Sequence, residues 1–173
     1  VDFRDRTIWL PGMHEFGTHF FAAAFRRHGY RARALPDEDR ESFELGRSLT
    51  RGSECLPTAL TIGTFVKALR RENGGGRHAL FMPTAQGPCR FGQYATLHRQ
   101  ILDREGHGDV AILSPSSANA YQGVDELLRR SLFKAIVAAD ILLKARCKVR
   151  PYEAQPGETD RRVAEKQRAL ADA

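Results

Sequence analysis

The chain has 173 residues, 42% apolar and 28% charged, which is enough to bury one core and unlike a low-complexity or acidic disordered segment. Its most apolar helical stretch, near Ile136, is broken by Asp140 and Lys144 short of the roughly 18 residues that a membrane span needs, so no membrane partner is expected. The net charge of +6 permits an anionic partner, but the basic residues are scattered and the aromatic residues sit on apolar helix faces, which argues against nucleic acid.

In chain order, Thr7–Leu10 predicts a first strand, ended by Pro11 and Gly12. From His14 to His28, Phe16, Phe20, Phe21, Ala24 and Phe25 recur at helical spacing until Gly29 stops them. Tyr30–Leu35 reads as a short strand and Asp37–Thr50 as a polar helix with a thin apolar face of Phe43, Leu45 and Leu49. Thr58–Arg71 is a stronger helix, with Ile62, Phe65, Val66 and Leu69 on one face and Pro57 at its start, where no intrahelical N–H is lost. Asn73–Gly76 reads as a flexible turn rather than a phosphate loop, because no Gly-Lys-Ser/Thr follows.

His78–Met82 predicts a buried strand. The turn-rich segment Thr84–Gly92 then opens a helix bearing Tyr94, Leu97, Ile101 and Leu102, which Gly106 and Gly108 close. Val110–Leu113 is a fourth strand, and Val124–Ala145 a long helix apolar on more than one face, expected to be buried or docked on a neighbouring domain. Thr159–Ala173 reads as a surface helix anchored by Val163 and Leu170. Strands alternating with helices predict an α/β fold, a mostly parallel sheet of about four strands with helices on both faces, Rossmann-like or flavodoxin-like. The expected lobe covers residues 1–150 and a C-terminal tail 151–173. Without a starting Met or a signal-like opening, the chain reads as part of a longer protein.

The three cysteines, Cys55, Cys89 and Cys147, are an odd number at wide spacing, which fits a reducing, cytoplasmic setting better than a secreted disulfide framework. Cys55 lies in Gly-Ser-Glu-Cys-Leu-Pro and Cys89 in Gly-Pro-Cys-Arg-Phe-Gly, each bracketed by glycine and proline just before a helix. A helix N-terminus favours the thiolate, and such loops let backbone amides approach a bound sulfur, so both are candidate metal or iron–sulfur ligands. The plain alternative is that they are small apolar fillers. Two thiols fall short of the four or so ligands that a complete cluster or closed zinc site takes.

Cys147, without a glycine loop, reads as a helix-end filler, and Glu54 as a structural carboxylate beside a ligand. Arg90 and Gln93 are placed to surround an anionic group near Cys89. His14 and His19 stand five apart rather than four, which turns their rings away from each other and favours capping or surface roles.

Three stretches carry a resemblance: Gly52–Gly63, the run Phe-Met-Pro-Thr-Ala-Gln-Gly-Pro-Cys-Arg-Phe-Gly-Gln-Tyr ending at Tyr94, and Arg150-Pro-Tyr-Glu with Gly157-Glu-Thr-Asp160. From about Pro11 to Asp160 the chain resembles the large CoA-substrate-specific enzyme activases, in the part similar to the iron–sulfur subunits of 2-hydroxyacyl-CoA dehydratases and benzoyl-CoA reductases. The resemblance implies a [4Fe–4S] cluster, with Cys55 and Cys89 as ligands, serving low-potential, ATP-driven electron transfer in an anaerobic, cytoplasmic system. It implies as partners a further lobe or an ATPase domain, of the same or another protein, and a CoA-ester substrate. The family's further cysteine, in a Cys-Phe-Pro-type motif, is missing here, and so are the glycine signatures of the ATPase domain. The competing expectation is a non-catalytic α/β module that docks a nucleotide, a CoA moiety or a partner domain without metal.

Overall fold

A computed structural model describes residues 2–72 and 76–172; of the predicted turn at 73–76, residues 73–75 lie outside the described residues. Four short strands, β1 (Thr7–Leu10), β2 (Arg31–Ala34), β3 (His78–Phe81) and β4 (Ala111–Leu113), form one sheet in the order β2-β1-β3-β4. Every pairing is parallel, with Ile8 opposite Ala32 and Ala79, and Leu80 opposite Ile112. The fold is thus α/β with a parallel sheet, as the alternation of elements predicts.

Six α-helices flank it: α1 (Gly17–Arg27), α2 (Arg40–Leu49), α3 (Leu56–Arg71), α4 (Tyr94–Arg104), α5 (Glu126–Val149) and α6 (Glu158–Asp172). The period-two alternation of the strands assigns the two faces. Trp9 and Leu80 point into a core with Ile62, Phe65, Val66, Ile101 and Leu102 of α3 and α4. Ile8, Leu10, Ala79 and Phe81 point the other way, onto Phe25 of α1 and Leu128 and Leu132 of α5. Strands covered on both sides are what a parallel sheet requires.

The long helix begins and ends later than its hydropathy suggests, because Asp125 accepts the Leu128 N–H at 2.8 Å and fixes the start. Only one of its faces is buried, through Leu128, Leu132, Ala135, Ala139 and Leu142; Phe133 and Ile141 on the outer face are 66% and 63% exposed. In α6, Val163 is buried beside Phe16 and Phe20 as expected, whereas Leu170 is exposed and anchors nothing. Arg146 of α5 donates to Asp160 of α6 at 2.8 Å, which ties the tail to the lobe.

One crossing sets the position of α3. Gly46 of α2 and Gly63 of α3 meet so closely that a Cβ on Gly46 would lie 1.9 Å from the Ala59 carbonyl oxygen, and one on Gly63 would lie 2.0 Å from that of Ser42. The two backbones touch, and only glycine leaves room for that. This contact holds the first turn of α3 above the sheet.

Candidate functional site

The sheet order places β3 beside β1, on the side away from β2, so the connections from the carboxyl ends of β1 and β3 diverge there. In open parallel sheets ligand sites form beyond these carboxyl ends. The loop following β3 carries Cys89. The connection between α2 and α3 brings Cys55 to the same region.

Cys55 occupies the N-cap position of α3, with extended backbone, and its carbonyl accepts the Thr58 N–H at 2.9 Å. The sixteen-residue helix behind it gives the sulfur a favourable dipole end, as the sequence predicts. Cys89 differs from that expectation, since it precedes a four-residue 3₁₀ turn, Arg90–Gln93, that leads into α4. A single such turn carries little macrodipole, so the argument from helix ends applies to Cys55 alone. Pro88 and Cys89 are exposed, and Cys55 is half-buried against the core that includes Tyr94.

The two loops are joined by contacts that sequence reasoning missed. The Arg90 guanidinium donates to the Ser53 carbonyl at 2.8 Å, so the residue after Cys89 grips the loop that ends in Cys55. Tyr94, buried at the start of α4, turns its hydroxyl toward Thr58 and both cysteines. Burial pushes its phenol pKa up; the nearby Cys55 and Cys89 sulfurs act in the same sense, and the Thr58 hydroxyl opposes them. Its ring stacks edge-on with Phe91 at 5.3 Å. The only hint in the sequence was that Tyr94 opens the apolar face of its helix.

Behind Tyr94 lies His98, fully buried, with Nε2 3.3 Å from the Thr58 carbonyl and 3.4 Å from the Thr61 hydroxyl. Burial lowers its pKa to about 4, so the imidazole is neutral at physiological pH. A nucleophile's base would have to reach the sulfur directly, and this ring instead serves the backbone of α3.

Beside Cys89 is an open hollow of about 440 Å³ walled by Thr84, Gln86, Gln93 and Ser116. Gln93 thus lines the space next to the thiol, while Arg90 is occupied with Ser53. Thr84 donates its hydroxyl to the Gly92 carbonyl at 3.0 Å, which folds the loop back on itself.

Glu54 is turned away from both sulfurs. It accepts the Arg51 N–H at 3.0 Å, and that bond holds its carboxyl below the usual carboxylate range. His14 caps α1 by accepting the Phe16 and Gly17 N–H groups at 3.1 and 3.0 Å, a capping role of the kind expected of it. Cys147 lies exposed in the last turn of α5, a helix on the opposite face of the sheet from α3 and α4.

Among the described residues no three His, Cys, Asp or Glu side chains converge on a metal-sized space, and all three thiols are free. Cys55 and Cys89 therefore fit one edge of an iron–sulfur cluster, as two ligands held by joined loops, and this chain's described residues offer no third. No described helix is long and apolar enough to cross a membrane. Comparison with known proteins finds no family model, no curated protein and no solved structure that matches the chain.

Proposed function

We propose that this chain is the cluster-bearing lobe of a low-potential electron-transfer system of the activase or 2-hydroxyacyl-CoA dehydratase type, with Cys55 and Cys89 as ligands to a [4Fe–4S] cluster. The observation that carries the reading is the joining of two thiol-bearing loops, through Arg90 and Ser53 and around Tyr94, at the carboxyl end of a parallel sheet. When bound, such a cluster supplies one-electron transfer at low potential.

The residues of the chain do the rest. The N-terminus of α3 favours anionic sulfur at Cys55. Arg90 keeps the loops in register and brings positive charge to the edge of an anionic site. Tyr94 places a hydroxyl beside the sulfurs, in the manner of the outer hydrogen bonds that orient metal ligands. The hollow beside Cys89, with the amides of Gln86 and Gln93, offers hydrogen bonds to a polar group such as a thioester carbonyl of a CoA ester. The proposed setting is cytoplasmic and anaerobic, with a further lobe or an ATPase domain as partner, and the isolated chain is expected to be inactive.

A second reading, a metal-free docking module for a nucleotide, a CoA moiety or a partner domain, draws on the outer face of α5, where Leu127, Phe133 and Ile141 are exposed. Anaerobic reconstitution with iron and sulfide separates the two. The cluster reading expects a brown, iron-bearing wild type and a colourless, folded Cys55→Ser/Cys89→Ser double variant, with Cys147→Ser unchanged from wild type. A colourless, folded wild type favours the docking module.

A further inference from the structure

We infer that Cys55 and Cys89 form half of a shared site, completed by the same two residues of a second copy of this chain across a two-fold axis. The inference rests on the cluster reading above and names the partner which that reading leaves open.

Ligand arithmetic is its starting point. A [4Fe–4S] cluster is held by about four protein ligands. The described residues bring two thiols together, and nothing else of ligating chemistry joins them. Glu54, the nearest carboxylate in sequence, is folded onto the Arg51 N–H. Cys147 belongs to α5, which covers the other face of the sheet.

Exposure points outward in the same way. The stretch from Ala85 to Arg90 is exposed throughout, and so are Arg51, Gly52, Ser53 and Pro57. Leu56, next to Cys55, is 56% exposed, an apolar side chain standing in solvent beside a thiol. The sulfurs sit on a rim, so whatever supplies the remaining ligands approaches from outside and covers that rim, Leu56 included.

A second copy satisfies these requirements with one contact. A two-fold interface is self-complementary: each rim meets its own mate, and two thiols become four with no ligand in excess. Charge agrees with this arrangement. A cluster with four thiolates is anionic, and each copy brings an Arg90 already fixed beside Cys89.

The test is light scattering after size-exclusion chromatography of the anaerobically reconstituted chain, with iron and acid-labile sulfide counted per chain. The expected result is an iron-dependent dimer with about four irons per pair of chains, reverting when a chelator removes the metal. The Cys55→Ser/Cys89→Ser variant is expected to stay monomeric under the same treatment. It should fold, because Cys89 is exposed and serine is a good N-cap in place of Cys55. A monomer carrying about four irons would overturn the sharing and leave the cluster assignment standing. A folded wild type that takes up no iron would end both. A dimer that forms equally well in the double variant would show that pairing has nothing to do with the thiols, and would overturn the inference.

Discussion

His98 Nε2 lies 3.3 Å from the Thr58 carbonyl oxygen, so a neutral imidazole buried in α4 is latched to the first turn of the helix that Cys55 caps. The contact requires the tautomer with hydrogen on Nε2. Nδ1 then has no partner, and a second proton there would be stranded in the core.

Acid should therefore loosen this region. The folded-state pKa of His98 is about 4 against an ordinary value of 6.5, so the unfolded chain takes up the proton first as pH falls. The stability that His98 contributes is present above about pH 6.5 and declines as pH drops toward 4, by roughly 3 kcal/mol in all. Urea unfolding at a series of pH values should show that slope, and His98→Gln, which keeps a donor without a titrating ring, should flatten it. An unchanged slope in the variant would assign the acid sensitivity to other groups.

Arg90→Ala should leave the fold intact and separate the two thiol loops, since the guanidinium on the Ser53 carbonyl is the hydrogen bond between them. A short bifunctional thiol reagent should link Cys55 to Cys89 in the wild type and do so several-fold less efficiently in the variant, as read by peptide mass mapping. Equal yields would mean that Tyr94 alone sets the spacing.

Gly46→Ala and Gly63→Ala should each be severe. The added methyl would meet backbone oxygen at 1.9 and 2.0 Å respectively, and backbone at a helix crossing cannot rotate aside as a side chain can. Overpacking of this kind costs about 3 kcal/mol, and the displaced α3 should also lower iron uptake. A thermal melt within a degree or two of wild type would show that α2 can move off α3.

Asp39 acts twice: it caps α2 by accepting the Ser42 N–H at 2.8 Å and pairs with Lys67, whose ammonium is 2.5 Å from it and 2.6 Å from Glu41. The Lys67 ammonium, followed by the Ser42 hydrogen bonds, holds its carboxyl far below the usual range. Asp39→Asn should keep the cap and weaken the pair, whereas Asp39→Ala should lose both and melt lower than Asn. Identical melts for the two variants would mean that the capping bond adds nothing beyond the ion pair.

Much of this architecture is legible in the sequence because it is local. Period-two strands such as Ile8-Trp9-Leu10, the 3.6-residue face of Ile62, Phe65, Val66 and Leu69, and the proline opening α3 each express a short-range rule. The glycine- and proline-bracketed cysteines could be picked out for the same reason. What could not be read were contacts between segments far apart in the chain: Arg90 with Ser53, Tyr94 with both sulfurs, and Gly46 against Gly63. Those depend on how the helices settle on the sheet, and no periodicity records it. The extent of α5 was misjudged because its outer face is also apolar, which blurs the distinction between a buried helix and a half-buried one.

Strand β2 reads Arg-Ala-Arg-Ala and pairs with β1 alone in the described sheet, with Arg31 and Arg33 exposed along it. Two cations on a strand so short discourage a foreign strand from docking edge to edge, one of the commonest routes to fibrils. The lobe can thus present reactive thiols on an open rim without also offering that border as a template for main-chain pairing, and its encounters with other molecules are left to side chains.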